Sequence, residues 1–113
     1  MRFVGENMRV YLDDERKPGG DWVVTQTPAE TIKLLETGMV VELSLDHDLG
    51  GDDTIGTGYT VLLWLEEAVA KRGFVPPPKI DVHSMNSSGK EKMIRAIEQI
   101  RRLAERNLEI GSD

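Results

Sequence analysis

A chain of 113 residues holds one ordinary hydrophobic core and leaves no room for a second domain. The absence of cysteine removes disulfide frameworks, thiolate zinc sites and cysteine nucleophiles. A net charge of -6, from 14 Lys and Arg against 20 Asp and Glu, argues against sequence-blind binding of duplex DNA, which needs a basic face to displace counterions. A small phosphorylated ligand or an RNA terminus held at one local point remains compatible with it. Met1 to Asn7 lack a signal-peptide pattern and read as a loose arm or an upstream start. No apolar run approaches the ~18 residues of a membrane span, so a cytoplasmic protein that avoids membranes is expected.

Arg9-Val10-Tyr11-Leu12 has the β-branched and aromatic content of a strand and runs into the polar, turn-rich stretch Asp13 to Gly20. Trp22 to Thr25 is a second strand. Thr27-Pro28-Ala29-Glu30 predicts a helix start: Thr27 caps, Pro28 sits where a missing N–H is harmless, and Glu30 closes a capping box. That helix should reach about Thr37 and stop at a left-handed Gly38. Val40 to Leu45 is a third strand, followed by Asp46-His47-Asp48 and a Gly/Asp-rich loop through Gly58. A second helix is expected from Tyr59 to Arg72, ending at Gly73. Pro76-Pro77-Pro78 leads stiffly into a fourth strand, Lys79 to His83. Ser87 or Ser88 should cap the last helix, with Ser88 and Glu91 as a capping box and Met93, Ile97, Ile100 and Ala104 as the buried stripe. Within the apolar string Val61 to Leu65, Leu63 or Trp64 offers a contact for a homodimer.

Strands separated by helices predict an α/β fold with a small three-layer, mostly parallel sheet of about four strands and three helices. The domain should span 8–108, with 109–113 as a polar tail. Its weak point is the first connection, since nine residues, 13–21, are fewer than the dozen a parallel crossover usually needs.

Open parallel sheets bind ligands beyond the carboxyl ends of their strands, and the polar residues gather there. Asp13-Asp14 follow strand one, Asp46-His47-Asp48 strand three, and His83-Ser84-Met85-Asn86 strand four. An Asp pair after a strand is also ordinary turn chemistry. Several carboxylates near one point repel one another, which a hard cation such as Mg2+ or Mn2+ relieves. Asp13, Asp14 and Asp46 are the preferred ligands; Asp48 either joins them or starts the loop, and Asp52 and Asp53 read as loop residues. Opening a phosphodiester needs a base for water and an acid for the leaving alkoxide, and imidazole serves either role near neutral pH. His47 and His83 are the candidates, unless His83 is merely satisfied at the sheet edge and His47 faces solvent. Arg16, with its planar fork, is the nearest phosphate partner. Lys90 and the start of the last helix offer a second anion site.

Leu12-Asp13-Asp14-Glu15-Arg16-Lys17-Pro18, Leu45-Asp46-His47-Asp48-Leu49 and His83-Ser84-Met85-Asn86 together resemble the cyclic-phosphate-processing receiver-like domains, a divergent branch of the response-regulator receiver fold. The likeness covers nearly the whole chain from Met8. It implies a reduced receiver or flavodoxin-like fold, with Asp13, Asp14 and Asp46 at metal or phosphate and His47 and His83 catalytic. The resulting expectation is a metal-assisted phosphoesterase acting on a cyclic phosphate, first of all a 2′,3′-cyclic one, of a nucleotide or RNA end. Ser84, Asn86, Arg16 and Lys90 would contact the phosphate. Ordinary receivers supply the alternative, a signalling domain phosphorylated on Asp46, with Ser84 resembling their hydroxyl residue. Their fifth strand and its lysine have no counterpart here. A third reading is a non-catalytic phosphate- or partner-binding module.

Overall fold

In a computed structural model, the chain is described at residues 7–14, 18–46, 57–83 and 87–111. Four strands, β1 (Met8–Leu12), β2 (Trp22–Thr25), β3 (Val40–Leu45) and β4 (Lys79–Val82), form one sheet in the order β2-β1-β3-β4. All three neighbouring pairs are parallel. The helices are α1 (Pro28–Leu35), α2 (Gly58–Arg72) and α3 (Ser87–Gly111). Strands one, three and four are therefore neighbours, as convergence of their carboxyl ends requires.

The short 13–21 connection does make a parallel crossover: Arg9 pairs with Trp22 and Leu12 with Thr25. The direction of each crossover explains the layering. From β2 to β3 and from β3 to β4 the chain steps toward the same edge, so right-handed connections put α1 and α2 on one face. Helix α3 packs beside α2 and against β4 on that same side. The β1–β2 step runs the other way and carries no described helix. The α/β class, the four parallel strands and the three helices are as expected. The described helices all lie on one face of the sheet.

Strand alternation sorts the side chains accordingly. Val10, Leu12, Leu43, Leu45 and Ile80 face the helices and meet Leu35, Val61, Leu62, Leu65, Val69, Met93, Ala96 and Ile100 in one core. Burying side chains of this size contributes about 1.5–3 kcal/mol each. The opposite face carries Arg9, Tyr11, Trp22, Glu42, Ser44, Lys79 and Asp81. There Arg9 Nε donates to Glu42 Oε1 at 2.9 Å, and the Arg9 guanidinium carbon lies 4.2 Å over the Trp22 ring.

The helix ends follow local chemistry. Thr27 Oγ1 accepts from Glu30 N–H while Glu30 Oε1 accepts from Thr27 N–H, the expected capping box. Helix α1 stops at Leu35, earlier than Thr37, because the Thr37 and Gly38 N–H groups bond only three residues back and tighten the last turn. Gly38 and Gly73 take the expected left-handed φ of 75° and 66°. Thr57, overlooked as a cap, starts α2 by accepting from Tyr59 N–H, and Thr60 Oγ1 accepts from Thr57 N–H in return. Helix α3 already includes Ser87, so Ser88 lies within it and is not the cap. Arg101 donates to the carbonyls of Pro77 and Pro78 at 3.1 and 3.0 Å and fixes the stiff lead into β4.

Candidate functional site

Register builds the site. Tyr11 pairs with Ser44 and Ser44 with Asp81; Leu12 pairs with Leu45 and Leu45 with Val82. The next row is Asp13, Asp46 and His83. Backbone bonds carry the ladder into it: Asp13 N–H donates to Thr25 O, Asp46 N–H to Leu12 O and His83 N–H to Leu45 O. Three side chains from three adjacent strands thus project from one edge of the sheet, on the face without helices.

One donor atom from each of Asp13, Asp46 and His83 lies within 4.8 Å of the others. Asp13 is buried, its side chain only 2% exposed, while the His83 side chain is 17% exposed. His83 Nε2 lies 3.1 Å from Asp13 Oδ2, and its Nδ1 lies 2.7 Å from Ser44 Oγ. An ionised carboxylate only accepts, so Nε2 carries the hydrogen toward Asp13 and a neutral ring accepts at Nδ1 from the Ser44 hydroxyl. The Tyr11 ring stacks on the imidazole, 4.2 Å away and 7° from parallel. Trp22 in turn meets Tyr11 edge-on at 5.6 Å.

Helix α2 closes on this edge from the other side. A Cβ built at Gly58 would overlap the Asp46 carbonyl oxygen and crowd Met93 Cε. Only glycine lets the start of α2 approach the end of β3 so closely.

Of the residues proposed from sequence, Asp13, Asp46 and His83 come together. Asp14 is half-buried and lies outside that group. Lys90 is exposed on the first turns of α3, beside Ile80, Asp81 and Val82. Arg16, His47, Asp48, Ser84 and Asn86 lie outside the described residues, as do Asp52 and Asp53.

The sequence matches the cyclic-phosphate processing receiver domain over residues 8–99, most of the chain. It belongs to that family. No curated protein and no solved structure matches it. A receiver-like domain associated with cyclic phosphate processing is thereby established, as the three sequence motifs implied. No described helix is long and apolar enough to cross a membrane.

In this receiver domain the donor set suits a divalent cation. Two ionised carboxylates about 5 Å apart repel by about 3 kcal/mol at an effective dielectric near 20, and a cation between them reverses that. Carboxylates alone suit Mg2+ or Mn2+; an imidazole in the set widens the choice toward softer ions. Ser44 and Tyr11 are the residues that sequence reasoning missed. Their signal was period two: each stands two positions before a site carboxylate, Tyr11 before Asp13 and Ser44 before Asp46. Ser44 also interrupts an apolar stretch, and it is buried at 7% exposure.

Proposed function

We propose that this receiver domain is a metal-assisted phosphoesterase that opens a cyclic phosphate, first of all the 2′,3′-cyclic phosphate of a nucleotide or RNA end. The observation that carries the reading is the meeting of Asp13, Asp46 and His83 at the carboxyl edge of the sheet, with their donor atoms within 4.8 Å. Asp13 and Asp46 would hold Mg2+ or Mn2+, with Asp14 and Asp48 as further oxygen donors. When bound, the cation supplies charge neutralisation at the phosphate oxygens.

The chain's own residues handle the protons. The oxygen of water forms a bond to phosphorus as one ring P–O bond breaks. One proton leaves the water for a base, and one reaches the departing alkoxide from an acid, giving a phosphomonoester and a free hydroxyl. His83, held at the edge, takes one of these roles and His47 the other. Arg16, Ser84, Asn86 and Lys90 orient the phosphate.

The test offers the purified protein a 2′,3′-cyclic nucleotide with Mg2+ or Mn2+, and separately acetyl phosphate. Turnover of the first, lost in both His83→Ala and His47→Ala, supports the reading. Stable labelling from acetyl phosphate, lost in Asp46→Asn, would support the signalling alternative instead. Absence of turnover across cyclic nucleotides and RNA ends overturns the enzyme.

A further inference from the structure

The contacts around His83 form an ordered series. Asp13, Nε2, Nδ1 and Ser44 lie in sequence at 3.1 and 2.7 Å. Such an order invites comparison with a nucleophilic serine relay. Two observations point elsewhere. Ser44 lies inside β3 with 7% exposure, covered rather than presented. The ring nitrogen at the carboxylate pole is Nε2, whereas Ser44 occupies the other nitrogen.

Neighbouring strands lie about 4.8 Å apart, so β1 and β4 are separated by about 9.5 Å with β3 between them. For His83 of β4 to touch Asp13 of β1, its imidazole must cross over β3. Ser44 is the β3 residue on that face next to the site row, and its small side chain leaves the passage open. Serine is also the smallest side chain that can both donate and accept. Tyr11 then closes on the ring by stacking; Trp22 meets Tyr11 edge-on, and Arg9 lies over Trp22.

We propose that Ser44 and Tyr11 are positioning residues that hold the His83 ring in one plane and reserve Nε2 for work at the Asp13–Asp46 pole. With the hydrogen on Nε2, the Ser44 hydroxyl donates to Nδ1. When Nε2 is to accept a proton or bind a cation, the ring hydrogen sits on Nδ1 and the same hydroxyl turns to accept it. A hydroxyl therefore remains a partner of Nδ1 whichever nitrogen carries the ring hydrogen, while a methyl group cannot. The catalytic consequence rests on the phosphoesterase reading; the arrangement of the ring does not.

The test uses the full chain labelled with 15N, first without divalent cation, and follows the ring nitrogens of His83 by long-range proton–nitrogen correlation while the ring is neutral. His83→Gln identifies its signals among those of the two histidines. The wild type should show one tautomer with hydrogen on Nε2. Ser44→Ala, folded by circular dichroism, should keep that hydrogen, which Asp13 holds, but shift the Nδ1 resonance through loss of the Ser44 hydrogen bond, and Ser44→Thr should retain the wild-type Nδ1 resonance. Tyr11→Leu should shift the ring carbon protons through loss of the stacked ring. With a 2′,3′-cyclic nucleotide, Ser44→Ala should lose about 10- to 100-fold in kcat, as outer partners of working histidines do. An Nδ1 resonance unmoved in Ser44→Ala overturns the proposal, as does a moved resonance with unchanged kcat. If the wild type turns over no substrate, the phosphoesterase reading fails and the spectra alone decide the arrangement.

Discussion

His83 Nε2 stands 3.1 Å from the Asp13 carboxylate, although the two residues are 70 positions apart in the chain and two strands apart in the sheet. Removing the imidazole takes a hydrogen-bond donor from a carboxylate that is 2% exposed. His83→Ala should therefore cost about 1–3 kcal/mol of stability, the range for depriving a buried polar group of a partner. Urea unfolding of the cation-free protein measures it, and a cost near zero would mean that the contact is not held in solution.

Divalent cations should stabilise the fold through the same residues. A ligand that binds only the folded state at 100 times its Kd raises stability by about 2.7 kcal/mol. Mg2+ or Mn2+ should raise Tm in the wild type and leave it unmoved in the Asp13→Asn, Asp46→Asn double variant. Equal shifts in both would place cation binding elsewhere.

Gly58→Ala should be destabilising, although alanine is the better helix former. The added Cβ meets the Asp46 carbonyl oxygen, which is backbone and cannot swing aside. Overpacking of this kind costs about 1–3 kcal/mol. Because relief requires β3 to shift at Asp46, the cation-dependent rise in Tm should also shrink. Thermal scans with and without cation read both effects.

Thr25 and Thr31 share a 2.7 Å hydrogen bond where β2 meets α1, and both are buried. Thr31→Val or Thr25→Val alone should cost about 1–2 kcal/mol, since each leaves the other hydroxyl without this bond. The double variant should recover part of that loss, because two methyl groups need no partner. A double-mutant cycle by urea titration gives the coupling.

Glu42 should add an acid-sensitive element. Its carboxylate accepts from Arg9 and lies near Lys79, 3.4 Å away, and the Arg9 hydrogen bond, with Lys79 helping, holds its pKa below the ordinary glutamate value. A lowered folded-state pKa means that its contribution is present above the unfolded-state value and is lost as pH falls through the folded one. Glu42→Gln should thus be less stable than the wild type near neutrality, and the difference should close in acid. Urea midpoints compared at the two pH values test the sign.

Much of this architecture was readable one segment at a time. The Thr27-Pro28-Ala29-Glu30 start, the stops at Gly38 and Gly73, and the buried stripe of α3 depend on neighbours within a turn or two, so local chemistry sufficed. The gathering of Asp13, Asp46 and His83 followed from strand ends once β1, β3 and β4 were taken as parallel neighbours. What escaped was relational. Ser44 becomes a partner of His83 only through the β1–β3–β4 register, and no single strand encodes its register. Thr57 caps α2 with Thr60 rather than Glu or Gln closing the box, so the usual sequence signature of a capping box is absent there. The placement of the helices on one face depends on the handedness of successive crossovers, which no single segment encodes.

The strand order also bears on how the molecule folds. β1 comes first in the chain yet lies between β2 and β3, and every strand pair is parallel, so none can close as a local hairpin. Folding should therefore begin among the helices, where α2 and α3 meet, and the sheet should zip only once distant segments return to β1. Asp13, Asp46 and His83 come together at the end of that zipping. The pole then works as a completion signal: a chain that has not joined all of β1, β3 and β4 does not bring Asp13, Asp46 and His83 together, and core substitutions that loosen the sheet will scatter those three side chains first.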